Sequence, residues 1–232
     1  MASEEKERLY HQIAAFVNEI YREQGLPIGD YEVSYPIPDF YVTPSEEIFK
    51  KNWKSVTGVY EKVNGFDLKL EEVLKSNKSN LKSGFHEADI FFYSPFKMIV
   101  EYDERQHFNQ FRRITLQSNL YVGYSGFAST TYTSLNQRIV KPGKKNNGSC
   151  YVNGDDPLFP PNEEENKQDN RHRQRAFRDY LKDLIAQEWS YKPTVRIPAS
   201  LVKWKRNNLT HTDLKIIKEY LELILIPVTI ND

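Results

Sequence analysis

Three acidic residues, Asp89, Glu101 and Asp103, have the types and spacing to do chemistry. Glu101 and Asp103 lie two apart in a strand-like run, MIVEYD, so both point to one face. Asp89 belongs to the preceding run, ADIFFYS. With Ser94-Pro95-Phe96 as a three-residue hairpin loop, Tyr93 pairs with Lys97 and Asp89 with Glu101, and directly opposed residues share a face. A two-residue loop would turn Asp89 to the other face, so the site carries a register requirement. Clustered carboxylates repel; two unit charges about 4 Å apart cost roughly 4 kcal/mol at an effective dielectric near 20. A hard divalent cation removes that cost, and Mg²⁺ typically binds through one or two carboxylates and a substrate phosphate. The expected ion is Mg²⁺, with Mn²⁺ as a substitute. Gln106-His107-Phe108 follows directly, and His107 lies where it could hydrogen-bond a water or a phosphate. The competing reading is that acidic residues at strand ends are solvated, since Glu-x-Asp alone has little specificity.

Several elements must position these residues. Ser3 to about Glu23 has apolar residues at helical spacing (Leu9, Ile13, Phe16, Val17, Ile20), with Gly25 just past the end. YEVSYPIPDFYV, punctuated by proline, reads as loop or short strand. A second helix is expected from Thr43 as N-cap to Gly65, and a weaker one within 66–82. Residues 84–108 carry the hairpin, and 112–140 read as further strand. Residues 141–170, rich in Gly, Pro, Asn and charge, read as a mobile insertion. A helix follows from Arg171, with Phe177, Leu181, Leu184 and Ile185 inward and arginines outward. A short strand from Thr194 stops at Pro198, and a last amphipathic helix covers Thr212 to about Ile224.

The chain of 232 residues has 32 Lys and Arg against 32 Asp and Glu, so any basic surface must be local. Cys150 is the single cysteine, which excludes an internal disulfide or a cysteine-based zinc site. Without a signal-like start or a long apolar run, the expectation is a cytoplasmic protein with no membrane partner.

The run ADIFFYSPFKMIVEYDERQHF resembles the core of the very-short-patch-repair endonuclease-like branch of the PD-(D/E)XK nuclease superfamily. In that pattern an Asp opens a hairpin, a Glu-x-(Asp/Gln) motif closes it, and a Gln-His-aromatic triplet follows. Downstream, QDNRHRQRAFRDYLKDLIAQEW and TVRIPAS are similar to the family's basic helix and short Arg-Ile-Pro strand. The two stretches cover about 50 residues. The resemblance implies a restriction-endonuclease-like α/β fold, with a mixed central sheet flanked by helices. Residues 83–232 would form the nuclease core, and 1–82 an N-terminal helical region packed on that core or contributing to it. It further implies Asp89, Glu101 and Asp103 around the metal, Gln106 and His107 beside them, and Arg196 on the strand after the helix. One departure stands out: the superfamily's Lys position falls on Asp103.

DNA binding needs positive surface. Residues 171–220 contain twelve Lys and Arg against five acidic residues, a net +7. The candidate nucleic-acid contacts are Arg112, Arg113, Lys144, Lys145, Arg171, Arg175, Lys205 and Arg206. The resulting expectation is a Mg²⁺-dependent endonuclease acting on DNA in bacterial or phage restriction, defence or repair. Cutting both strands would call for a symmetric homodimer. RNA cleavage by the same site, or a nucleic-acid-binding module without activity, are the alternatives.

Overall fold

A four-stranded mixed sheet forms the centre of the molecule, with helices on both faces. The computed structural model describes residues 2–65, 67–139, 156–160, 170–202 and 209–226. The strands β1 (Asp30–Tyr41), β2 (Phe85–Ser94), β3 (Met98–Asp103) and β4 (Val195–Pro198) lie side by side in chain order. The pairs β1–β2 and β2–β3 are antiparallel, and β3–β4 is parallel. A parallel pair needs a crossover connection. It contains α5 (Gln110–Thr115), α6 (Ser129–Ile139) and α7 (Asn170–Glu188). The remaining helices are α1 (Ala2–Glu23), α2 (Glu46–Phe49), α3 (Trp53–Asn64), α4 (Leu70–Ser76) and α8 (His211–Leu225).

The hairpin register is the one the three-residue loop requires. Ile90 pairs with Val100, Phe91 with Ile99 and Phe92 with Met98, and one further step brings Asp89 level with Glu101. Alternation then divides β3 between two cores. Val100 and Tyr102 face α1 and α8, with Leu9, Ile13, Ile217 and Leu221. Ile99 faces α3, α4, α5 and α7, with Val56, Leu70, Phe111 and Phe177. All six residues of β3 are buried, Glu101 and Asp103 among them.

Three readings of the sequence need correction. Residues 30–41 form a twelve-residue strand, where a loop or only a short strand was expected. It is the edge strand, where a missing N–H is tolerated, so Pro36 and Pro38 fit. Positive φ at Ser34 and Asp39 and two register shifts absorb the irregularity. Helices α5 and α6, joined by turns and a short 3-10 segment, stand within 110–139 where strand was expected. Asn109 caps α5 by accepting from the Arg112 N–H at 2.9 Å, and burial of Phe111 and Tyr132 outweighs the strand propensity of the Thr and Tyr residues. Ser45 is the N-cap of α2, while Thr43 donates to the Lys82 carbonyl instead.

Most of the expected insertion lies outside the described residues. The described part, Asp156–Pro160, is packed: Leu158 and Phe159 are buried, and the Tyr60 hydroxyl donates to the Leu158 carbonyl at 2.6 Å. Among the described residues no helix is long and apolar enough to cross a membrane.

Gly126 lies against the approach to β4. A Cβ there would fall 2.0 Å from the Thr194 carbonyl oxygen, and the Gly126 carbonyl accepts from the Arg196 N–H at 3.3 Å. Gly126→Ala should therefore destabilise the chain by about 1–3 kcal/mol, since overpacking against backbone cannot relax by rotamer change. An unchanged urea midpoint would refute this close approach.

Candidate active site at the end of the central sheet

Glu101 and Asp103 share one face of β3, and parallel pairing sets Arg196 of β4 beside Glu101. From above, α7 lays Arg175, Asp179, Lys182 and Asp183 along one stripe, because residues three and four apart lie on one helix face. The sheet end and this stripe build the site.

Glu101 is 3% exposed. Its Oε2 accepts from Lys182 Nζ at 2.7 Å, whereas Oε1 has no hydrogen-bond partner. Burial, then the nearby Asp89 charge, pushes the Glu101 carboxyl up to about 7 despite Lys182. Burial works against a charged Lys182, but Glu101, Asp179 and Asp89 outweigh it and raise its pKa. Asp89 is half-buried and held on both oxygens. Tyr10 of α1 donates to Oδ1 at 2.5 Å and the Tyr102 backbone N–H to Oδ2 at 2.8 Å. Burial and the Asp89 charge push the Tyr10 phenol far above its ordinary value, so it stays a donor.

Asp103 goes elsewhere. Arg196, fully buried, donates from Nη1 to both Asp103 oxygens (2.9 and 3.1 Å), from Nε to Asp183 Oδ1 (2.7 Å) and from Nη2 to the Asp179 carbonyl (3.0 Å). Asp183 Oδ2 accepts from Arg112 Nη2 at 2.8 Å and from the Tyr121 hydroxyl at 2.7 Å. His107 Nδ1 lies 2.8 Å from Asp179 Oδ2 and 3.3 Å from Asp103 Oδ1. Burial works against a charged His107, but Asp179 and Asp103 outweigh it and raise its pKa. Burial also opposes ionisation of Asp179, yet His107 and Arg196 hold its carboxyl well below the usual range. With His107 protonated, the positive charges of Arg112, Arg196 and His107 balance the negative charges of Asp103, Asp179 and Asp183.

The expected trio of carboxylates therefore splits. Among the described residues, the group of three whose ligand atoms lie within 4.8 Å of one another is Asp103, His107 and Asp179, which could hold a metal ion. Asp89 and Glu101 form a separate acidic pair. The register was right, but Arg196 draws Asp103 to itself. Lys182, which the sequence reading passed over, is the cation beside Glu101; its signal was the polar stripe through an otherwise apolar helix. Lys97, on the hairpin, is exposed and lies over the Tyr191 ring.

A cleft of about 320 Å³ opens alongside, walled by Arg171, Arg175, Arg178, Asp179 and Lys182 of α7, with His86, Glu87 and His107 also lining it. Arg175 donates to the Gln106 side chain. Arg171 and Arg175 thus line a concave surface. Arg112 does not, contrary to expectation: it is fully buried and serves Asp183. The arginines of α7 are not simply outward, since Arg173 is buried and bonds Asn64 and the Pro160 carbonyl. Arg113 is exposed on α5. Lys144, Lys145, Lys205 and Arg206 lie outside the described residues.

Residues 69–200, more than half of the chain, match the model of a family described as a family of unknown function (DUF7255). The chain belongs to this family. The matched segment includes Asp89, Glu101, Asp103, His107, Asp179, Lys182 and Arg196, whereas Tyr10, β1 and α8 fall outside it. No curated protein and no solved structure matches the chain.

Two outcomes follow from this geometry. Asp183→Ala leaves two buried guanidinium groups short of counter-charge and should cost about 3–5 kcal/mol, read from urea unfolding. Glu101, with its pKa raised to about 7, keeps in the folded chain a proton that the unfolded chain loses near 4.5. Its contribution to stability therefore falls as pH rises through that window. Glu101→Gln should remove this part of the pH dependence between pH 5 and 8, and identical profiles for both proteins would contradict it.

Proposed function

We propose that the chain is a divalent-metal-dependent nuclease that hydrolyses phosphodiester bonds in DNA, with a restriction-endonuclease-like core. One observation carries the reading: a buried carboxylate, Glu101, keeps an unpartnered oxygen near Asp89, and its other oxygen bonds Lys182, which lines a cleft rich in cations. Buried polar atoms are rarely left unpaired without a role. The order of parts also supports it. Asp89 and Glu101 stand on paired strands, and a basic crossover helix leads into the Arg-Ile-Pro strand lying parallel to β3.

Asp89 and Glu101 would hold the ion, and their all-oxygen donor set suits Mg²⁺ or Mn²⁺. The Asp103–His107–Asp179 group offers a nitrogen, and Arg196 already compensates its charge, so it fits Mg²⁺ less well. The ion's chemistry would be charge neutralisation at the phosphate and acidification of the attacking water. The chain's own groups do the rest. Tyr10 and the Tyr102 N–H fix the Asp89 carboxylate. Lys182 Nζ supplies positive charge at the Glu101 edge, where the resemblance calls for a lysine and the sequence has Asp103. His107, oriented by Asp179, presents its imidazole to the cleft and can hold or pass a proton.

Purified protein incubated with plasmid, phage genomic DNA and RNA, with Mg²⁺ and with EDTA, tests the reading. Cleavage of DNA should require the metal. Glu101→Gln keeps an acceptor for Lys182 and should preserve the fold while lowering cleavage by ~10²-fold or more, as should Asp89→Asn. Full activity in folded Glu101→Gln protein would overturn the assignment. Metal-independent binding without cleavage would leave a nucleic-acid-binding module.

A further inference from the structure

The cleft beside the acidic pair has chemistry of its own. Arg171, Arg175, Arg178 and Lys182 recur along one face of α7, so like charges stack on successive turns. Lys182 is bonded to Glu101. Among the described residues, Arg171 and Arg175 form no ion pair: Arg171 donates to the amide of Gln174 and Arg175 to that of Gln106. Arg178 meets Asp156 only at 3.5 Å, a carboxylate shared with Lys82, and its Nε is buried without a partner. Across the cleft His86 is 2% exposed, stacked on Phe40 with centroids 4.1 Å apart, and its Nε2 has no partner. Burial, then Lys182 and Arg178, holds the His86 imidazole well below its ordinary value, so it is neutral and can offer one N–H. Burial lowers the Arg178 guanidinium to about 10; Asp156 opposes the shift and Arg171 adds to it.

We propose that this cleft is a pocket for a single phosphate group, held by Arg171, Arg175 and Arg178 from α7 and by His86 from β2. Guanidinium forks match phosphate oxygens in pairs, which a lysine cannot do. About 320 Å³ is the small end of ligand pockets, enough for a phosphate and its sugar and too little for a duplex. Lys182 reaches both the cleft and Glu101, so the phosphate held here belongs next to the bond that is cut. In naming the strand that carries the phosphate, the inference rests on the nuclease reading; the pocket itself does not.

Calorimetric titration of the full chain in EDTA tests it, because the metal pair is then silent. The probes are inorganic phosphate, a short single-stranded oligodeoxynucleotide with a 5′-phosphate, and its 5′-hydroxyl twin. Wild-type protein should bind phosphate. Arg171→Gln/Arg175→Gln should weaken that binding at least tenfold, while Arg22→Gln, an exposed change on α1, leaves it unchanged. Should the double variant fold poorly, Arg175→Lys against Arg175→Gln carries the test, with the charge-keeping variant losing less. Equal binding of the two oligonucleotides assigns an internal phosphodiester, and preference for the first a terminal phosphate. Asp89→Asn, a change outside the cleft lining, should bind phosphate as wild type does even with cleavage gone, which separates the two claims. No phosphate binding by wild type, or equal binding by folded wild-type and double-variant protein, overturns the pocket.

Discussion

The guanidinium of Arg196 holds the interior of this molecule in register. It lies between β3 and α7, fully buried, and spends its donors on Asp103, Asp183 and the Asp179 carbonyl. A buried charge is tolerated only when paired and hydrogen-bonded. Here the requirement reaches further than one pair, because Asp183 also answers Arg112, and Asp103 and Asp179 share His107. Sheet, crossover helix and the turn after β3 are thereby tied at one point. Arg196 can do this only because parallel pairing places it on the same face as Glu101 and Asp103.

That frame leaves a division of labour among the acids. Asp103, Asp179 and Asp183 are satisfied by the fold and support it. Glu101 and Asp89 lie just outside, with Glu101 half-satisfied by Lys182 and Asp89 steadied by Tyr10. The unpaired Oε1 of Glu101 and the unpaired Nε2 of His86 are buried polar groups that the frame does not use. Both lie by the α7 stripe, one beneath Lys182 and the other across the cleft. Arg178 Nε, buried without a partner on the same helix, is a third such atom beside the cleft. Tyr10 adds a link from α1, beyond the family's matched segment, to the acidic pair within it.

Much of the local structure was legible from short-range chemistry. Heptad-like apolar spacing marked α1, α7 and α8, and Gly65 marked the end of α3. The loop Ser94-Pro95-Phe96 set the hairpin register through its length alone, and with it the level of Asp89 beside Glu101. Errors came where tertiary burial overrode propensity. The proline-rich segment 30–41 became a strand because an edge position needs fewer donors. Helices α5 and α6 formed within 110–139 because Phe111, Thr115 and Tyr132 are buried in the same core as Phe177 and Tyr180 or in its polar lining. Arg112 looked like a phosphate ligand and is instead a counter-ion, a distinction set by its depth and not by its type.

The sequence by itself determined which residues stand on which face of which element: period two placed Glu101 with Asp103, and period 3.6 placed Arg175, Asp179 and Lys182 on one stripe. Only the tertiary structure decided which opposite charges met. Arg196 reached Asp103 before any third carboxylate could join the acidic pair, and Lys182 took the place beside Glu101. The physical reason is that pairing inside a protein is set by distances of a few ångströms across elements far apart in the chain, and the cost of an unpaired buried charge is paid wherever packing brings those elements together.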